Sequence, residues 1–275
     1  MPELPEVETV KRTLSRLVVG KRIEKVYVGL ARIIWQPTEP LEFSMLLEGQ
    51  MIHGIRRFGK YLLFDFDDMV MISHLRMEGK YGLYARDEAA EPHTHVYFHF
   101  DDGTDLRYRD VRQFGTMEVV PKGQEWTRTS LHKLGPEPLD AEFGLEQWKR
   151  IFSGRRGKMK PLLLNQHIIA GIGNIYADEI LFRARIHPER EATTINDDEH
   201  VALYHAMRNI LQEAVDQGGT TVKSYVNGQG EMGYFQQELA VYGRSGEQCL
   251  SCQHEIIRSV VGGRGTHTCP SCQRL

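Results

Sequence analysis

Leu134-Gly135-Pro136-Glu137-Pro138 marks the point at which the chain changes its hydrophobic period. Two prolines and a glycine in five residues break helix and strand alike, so 134–140 reads as a linker. Upstream, between about 22 and 120, short β-branched and aromatic runs recur: Arg22 to Trp35, Lys60 to Phe66, Met69 to Leu75, His95 to Phe100 and Gly115 to Val120. These predict strands, and turn signals such as Asp101-Asp102-Gly103 between them predict an antiparallel sandwich or barrel. Ahead of the strands, Val7, Val10, Leu14 and Leu17 recur at helical spacing, with Pro5 suited to the first turn and Gly20 to the stop.

Downstream the period becomes helical. Phe143, Trp148, Ile151 and Phe152 form one stripe, and Val201, Tyr204, Met207, Leu211 and Val215 another. Between them, Gly171-Ile172-Gly173-Asn174 leads into Ile175-Tyr176-Ala177-Asp178-Glu179, where Asn174 is expected to cap a helix. Such a helix start suits a phosphate, and it equally suits an ordinary helix–helix turn. Gly218 ends the last helix, and 219–247 is polar, glycine-punctuated and aperiodic, the pattern of a functional or mobile loop. The expected fold class is α+β: residues 1–133 an N-terminal helix plus antiparallel β-sandwich, 141–218 a helical domain, 219–247 a long loop, and 248–275 a cysteine-bearing finger.

The 275 residues are 41% hydrophobic and 26% charged, enough for about two domains with real cores. No apolar run approaches the roughly 18 residues of a membrane span, and no secretory signal is evident, so a cytoplasmic protein is expected. The net charge of −3 argues against a nucleic-acid partner when taken whole. By segment it does not: residues 154–190 carry 7 basic and 3 acidic side chains, and 61–105 carry 3 and 10. A basic face with an acidic back and scattered solvated charge are both consistent with that pattern.

All four cysteines lie in the last 27 residues, as Cys249-x-x-Cys252, sixteen residues, then Cys269-x-x-Cys272. Four thiolates complete a tetrahedral Zn²⁺ and leave no position for catalytic water, so the expected metal is structural. Two disulfides are the competing reading, disfavoured because nothing points to an oxidising compartment. Between the pairs, Glu255 to Val261 and Thr266 to Cys269 read as strands about a Gly262-Gly263-Arg264-Gly265 turn that displays Arg264. At the other end, removal of Met1 would expose Pro2 as a secondary amine. An α-amino group titrates near 7.7–8.0, low enough to act as a nucleophile, and Glu3 beside it could move a proton. A lyase forming an imine and a tautomerase using the nitrogen as base would both use it.

Met1-Pro-Glu-Leu-Pro-Glu-Val-Glu-Thr9, His74-Leu-Arg-Met-Glu-Gly79, Arg109-Asp-Val-Arg-Gln-Phe-Gly-Thr116, Ala170 to Glu179, Tyr242-Gly-Arg244 and Gly263-Arg-Gly-Thr-His267 together resemble bacterial formamidopyrimidine-DNA glycosylases. The resemblance runs from the first residue to the last. It implies a β-sandwich joined to a helix-two-turn-helix domain with a zinc-ribbon finger, binding double-stranded DNA between the two. The implied activity is excision of oxidised purines, 8-oxoguanine opposite cytosine and formamidopyrimidines, followed by cleavage at the abasic site, in a monomer with one structural zinc and no catalytic metal.

By that resemblance Pro2 is the nucleophile and Glu3 the proton shuttle, while Lys60 and Arg264 serve the eliminations. Phe114 wedges into the stack, Met77 fills the vacated space, and Arg112 reaches the orphaned cytosine. His74, Arg76, Asn174 and Tyr242 are expected on phosphates near the lesion, with His93 and Arg156 further out. The glycine-rich Gly154-Arg-Arg-Gly-Lys158 leaves Lys158 and Lys160 as alternatives to Arg156. Glu78, Thr220, Val222, Lys223, Ser224 and Tyr225 are the expected lesion-base contacts, the last five in a capping loop. The nearest rivals are an endonuclease VIII-like enzyme for oxidised pyrimidines and a non-catalytic damage-binding protein. Leu4 together with Met77, Arg112 and Phe114 favours the purine enzyme.

Overall fold

A computed structural model describes residues 1–220 and 238–275. They divide into two compact units, the first spanning Met1–Lys133 and the second holding Leu134–Thr220 and the described residues from Glu238 onward.

The first unit begins with α1 (Leu4–Val18), whose Val7, Val10, Leu14 and Val18 are fully or almost fully buried. Each such side chain contributes about 1.5–3 kcal/mol on burial, and together they fix which face of α1 turns inward. The helix starts in a capping box: Glu3 accepts from the Glu6 N–H, and the Glu3 N–H donates to Glu6 Oε2 at 2.9 Å. Two sheets follow. One has the order β2 (Ile34–Gln36), β9 (Thr116–Pro121), β5 (Met69–His74), β4 (Tyr61–Asp65), β3 (Gly54–Phe58). The other has the order β1 (Ile23–Val28), β7 (Thr94–Phe100), β8 (Thr104–Arg109), β6 (Lys80–Ala85). Phe64, Phe98, Phe100, Leu62, Met71 and Leu106 join the α1 residues in a single core. α2 (Pro40–Leu47) adds Phe43 and Leu47 to it, and α3 (Glu125–Arg128) follows β9.

Two expectations need correction. The run from Arg22 to Trp35 is not one strand: it breaks at Gly29, passes through a 3₁₀ turn at Ala31–Ile33, and resumes in the other sheet as β2. Alternating hydrophobicity marks a strand but carries no label for its sheet. The sandwich is also not wholly antiparallel, since β2 pairs with β9 in parallel, Ile34 opposite Met117. Strands β3, β6 and β8 and helix α2 lay outside the strand runs read from sequence, because Arg56-Arg57, Gly82 and Arg107 interrupt their apolar pattern.

The second unit packs α4 (Leu145–Phe152), α5 (Met159–Leu164), α6 (Asn174–Arg183) and α7 (Asp197–Asp216) with a hairpin of β10 (Ile257–Val261) and β11 (Arg264–Thr268). Residues 134–136 belong to it: Gly135 N–H donates to the Gln166 carbonyl, and Ala170 N–H to that of Pro136. Between α5 and α6 the chain makes successive turns held by Gln166, whose Nε2 donates to the Leu164 and Ile172 carbonyls while its Oε1 accepts from Gly171 N–H. Asn196 caps α7 in a box with Glu199, and Asp197 and Asp198 complement the positive end of its dipole. No helix among the described residues is long and apolar enough to cross a membrane.

Candidate functional site: a chain-end amine and a four-cysteine hairpin

The start of α1 carries the chain terminus. Pro2 is buried, Glu3 is 3% exposed, and Lys60, in the two-residue turn joining β3 to β4, is 4% exposed. The terminal amine of this chain is that of Met1, one residue ahead of Pro2, and burial holds it below its ordinary value of 8.0. Glu3 and Glu6 oppose that shift, and Lys60 and Arg112 reinforce it. The positive end of the α1 dipole also disfavours an ammonium there. A shift in that direction favours the neutral amine, whose lone pair a nucleophile needs, and removal of Met1 would put the Pro2 amine at this end of α1.

Beside it lies the end of β5. His74 is buried and its ring is pushed down to about 3, chiefly by burial and then by the Arg76 and Lys60 charges. The Arg76 N–H donates to His74 Nδ1 at 2.9 Å, so the neutral ring carries its proton on Nε2 and presents a donor. Arg76 itself has φ of 52° and stacks its guanidinium over Trp35 at 5.7 Å. Met77 follows in the turn, 37% exposed, with Glu78 half-buried. The 110–115 loop presents Arg112 over the Phe114 ring at 5.0 Å, and Phe114 is 52% exposed. Gln113, between them, has φ of 58°, and His93, exposed, has φ of 67°. Backbone strain of this kind costs on the order of 1–3 kcal/mol per residue and collects at functional turns.

In the second unit the hairpin turn is Gly262-Gly263, both with positive φ, so Arg264 opens β11 directly opposite Val261 and is exposed. A primed two-residue turn requires that backbone, which glycine adopts without a Cβ penalty. Behind Arg264 the hairpin is pinned from within. Lys160 and Asp178, both fully buried, form an ion pair at 2.7 Å. Lys160 Nζ also donates to the Gly265 carbonyl and to Thr266 Oγ1, while Asp178 Oδ2 accepts from the His267 N–H. Asn174 Nδ2 donates to the same Gly265 carbonyl at 2.9 Å. Tyr242 packs edge-on against His267 at 4.9 Å, and its N–H donates to Glu179. Burial pushes the Glu179 carboxyl up, against three backbone N–H groups at 240–242 that favour its charged form.

The four Sγ atoms of Cys249, Cys252, Cys269 and Cys272 lie within 4.8 Å of one another, and all four cysteines are free thiols. Sulfurs about 2.3 Å from a tetrahedral zinc stand about 3.8 Å apart, and the Cys252–Cys269 and Cys249–Cys272 separations are 3.4 and 3.9 Å. Backbone N–H groups of Ser251 and Cys272 point at Cys249 and Cys269 sulfurs, as thiolate ligands favour. The cluster fits a metal and does not fit disulfides, whose bond length is near 2.05 Å.

Within the first unit Glu3, Lys60, Arg112, His74 and Arg76 are thus linked electrostatically around one end, and within the second Asn174, Tyr242 and Arg264 share the hairpin. Arg156 and Lys158 are exposed, and Lys158 pairs with Glu189. Lys160 cannot be their alternative, because its buried ammonium is consumed by Asp178 and the hairpin. Asn174 does not cap α6: Gly173 holds the N-cap position, and the hairpin carbonyl captures the Asn174 side chain instead. Thr220 is buried, while Val222, Lys223, Ser224 and Tyr225 lie outside the described residues. Sequence reading passed over Tyr108, Asp110 and the roles of Asp178 and Glu179 as buried anchors. A buried acid has no signature in a single sequence beyond its place inside a motif.

Residues 1–117 match the model of the formamidopyrimidine-DNA glycosylase N-terminal domain, and residues 134–226 that of the formamidopyrimidine-DNA glycosylase H2TH domain. The class is therefore a β-sandwich unit followed by a helix-two-turn-helix unit with a four-cysteine hairpin. A formamidopyrimidine-DNA glycosylase of Brevibacillus brevis is 59% identical over 274 residues, covering 100% of this chain and 99% of its own. The Lactococcus lactis Fpg, solved in complex with DNA containing an abasic site, superposes with a TM-score of 0.93 at 41% identity, covering 99% of this chain and 100% of that one. A MutM solved with DNA containing carbocyclic 8-oxo-G gives 0.92 at 41% identity, with both chains fully covered. With relatives this similar over the whole length, the chain belongs to the formamidopyrimidine-DNA glycosylase family.

Proposed function

We propose that this chain is a bifunctional DNA glycosylase and abasic-site lyase for oxidised purines, acting through Pro2. The observation that carries the reading is buried Pro2 at the start of α1, the residue that removal of Met1 would make the chain end, with Glu3 and Lys60 buried in the same unit. After Met1 is removed, the Pro2 nitrogen attacks C1′ of the extruded nucleotide. The N–C1′ bond forms as the bond to the base breaks, the base leaving with the electron pair and taking a proton from solvent, while the proton on the Pro2 nitrogen passes to the Glu3 carboxylate. Glu3 then delivers a proton to the ring oxygen as the C1′–O4′ bond opens, leaving an iminium. That electron sink acidifies C2′–H, whose loss expels the 3′ phosphate, and a second elimination expels the 5′ phosphate. Lys60 and Arg264 neutralise the departing phosphates. His74, through its Nε2 donor, and Arg76, Asn174 and Tyr242 hold phosphates near the lesion, with His93 and Arg156 further out.

Met77, Phe114 and Arg112 occupy the space that extrusion leaves, with the guanidinium donating to the orphaned cytosine. Glu78, Thr220, Val222, Lys223, Ser224 and Tyr225 serve recognition of the lesion base. Cys249, Cys252, Cys269 and Cys272 hold one zinc, which closes the hairpin and takes no part in bond making. The enzyme works as a cytoplasmic monomer on duplex DNA carrying 8-oxoguanine or formamidopyrimidines.

Borohydride reduction should trap Met-free protein covalently on a duplex bearing 8-oxoguanine opposite cytosine, and mass spectrometry should place the adduct on Pro2. Bound DNA with no trapped adduct rejects the imine mechanism.

A further inference from the structure

The elements expected to enter the duplex sit on two separate stretches, the Met77 turn and the Arg112–Phe114 loop, yet one buried pair touches both. Tyr108, at 0% exposure, sends its hydroxyl between two glycines. A Cβ added at Gly79 would lie 2.2 Å from that oxygen, and one at Gly115 only 1.7 Å, so each backbone is already in contact with it. Gly79 closes the turn that carries Met77, its N–H donating to the Leu75 carbonyl, and Gly115 closes the loop that carries Phe114. The Tyr108 ring is held by Tyr81 at 5.0 Å, whose own hydroxyl donates to Ser73 at 2.8 Å.

Asp110, also at 0% exposure, completes the pair. Its Oδ1 accepts from the Arg112 N–H at 3.1 Å, and its Oδ2 accepts from the Gly115 N–H at 2.8 Å and faces the Tyr108 hydroxyl at 3.5 Å. Its main chain is tied as well, the carbonyl accepting from Gln113 N–H and His95 Nε2, and the N–H donating to His93. A buried carboxylate must be satisfied, and here the donors that satisfy it are the loop's own amides. The left-handed Gln113 is the residue this arrangement strains.

We propose that Tyr108 and Asp110 are positioning residues that clamp the Met77 turn and the Arg112–Phe114 loop into one rigid wedge, so that both enter the stack together. The proposal rests on the function given above and deepens it. A wedge acts only if it does not yield when it meets the stack, and small misplacements cost large factors in rate. The clamp therefore governs extrusion of the lesion and reading of the opposite base, not the chemistry at Pro2.

Tyr108→Phe removes the hydroxyl between the glycines and keeps the ring. Asp110→Asn keeps the volume and replaces one acceptor by a donor that faces the Gly115 N–H. Single-turnover excision of 8-oxoguanine opposite cytosine and opposite adenine should be measured beside cleavage of a preformed abasic site. The expected result is about a tenfold loss on the lesion opposite cytosine and a cytosine-to-adenine ratio reduced about threefold. Abasic cleavage should change less, by about threefold at most. Unchanged rates and ratio, or equal losses in all three reactions, overturn the clamp. If Asp110→Asn does not fold, Tyr108→Phe decides alone. A wild-type chain inactive on every substrate sinks the functional reading and the clamp's role with it, whereas an active wild type with indifferent variants sinks the clamp alone.

Discussion

In the first unit, Glu3, Lys60 and His74 stand against a core of aliphatic and aromatic side chains drawn from α1, α2 and both sheets. In the hairpin region of the second, the cluster among the described residues holds Val241, Ile256 and the cysteines, with Phe182 at its edge. The contrast separates two ways of holding a charged group still. A large core imposes burial and lets local charges tune an amine or an imidazole. A small finger cannot bury enough apolar surface, so its position depends on metal ligation and on a buried ion pair.

The comparison breaks most visibly at the metal. Cys249→Ser or exhaustive chelation should collapse the hairpin that carries Arg264 and abolish DNA binding measured by fluorescence anisotropy, since ligation contributes on the order of 10–16 kcal/mol in small domains. The far-UV signal of the sandwich should survive. Undiminished binding by demonstrably metal-free protein would show that the finger holds itself.

The ion pair gives the next effect. Lys160→Met leaves the Asp178 carboxylate buried without its cation, and such a change costs about 3–5 kcal/mol. Urea denaturation of the metal-loaded protein reads it directly. A loss below about 1 kcal/mol would mean that the hairpin's other hydrogen bonds suffice.

The smallest effect tests the first unit. His74 folds with its ring at about 3 against an ordinary 6.5, so between those values the unfolded chain binds more protons. Stability should therefore rise with pH across that window and be lost as pH falls below about 6.5, by about 2 kcal/mol at pH 5. His74→Gln removes the titration and should flatten the dependence of the urea midpoint on pH between 5 and 7. An equally steep dependence in the variant would assign it to other groups.

Much of this is legible in the sequence alone. Helical spacing from Val7 to Leu14 anticipated α1, and the cysteine spacing anticipated a four-sulfur cluster, because both patterns follow from local geometry: 3.6 residues per turn, and a C-x-x-C knuckle that brings two sulfurs together. The motifs also named the exposed Met77, Arg112 and Phe114. Strands β3, β6 and β8 stayed hidden because buried or half-buried arginines and a glycine broke their alternation, and what buries Arg107 is supplied by neighbouring strands, with Tyr84 and Tyr97 against its guanidinium.

By itself, then, the sequence determined the α+β class, the family, the cysteine cluster and the types of side chain available for chemistry. These depend on order along the chain. Only the tertiary structure decided that Lys160 is an internal tie and not a surface cation, that Asn174 serves Gly265 and not a helix cap, that the Arg22–Trp35 run is shared between two sheets, and that Tyr108 touches two turns at once. Each of these turns on which groups far apart in the chain are buried together, and burial sets the cost of an unpaired charge or a lost hydrogen bond.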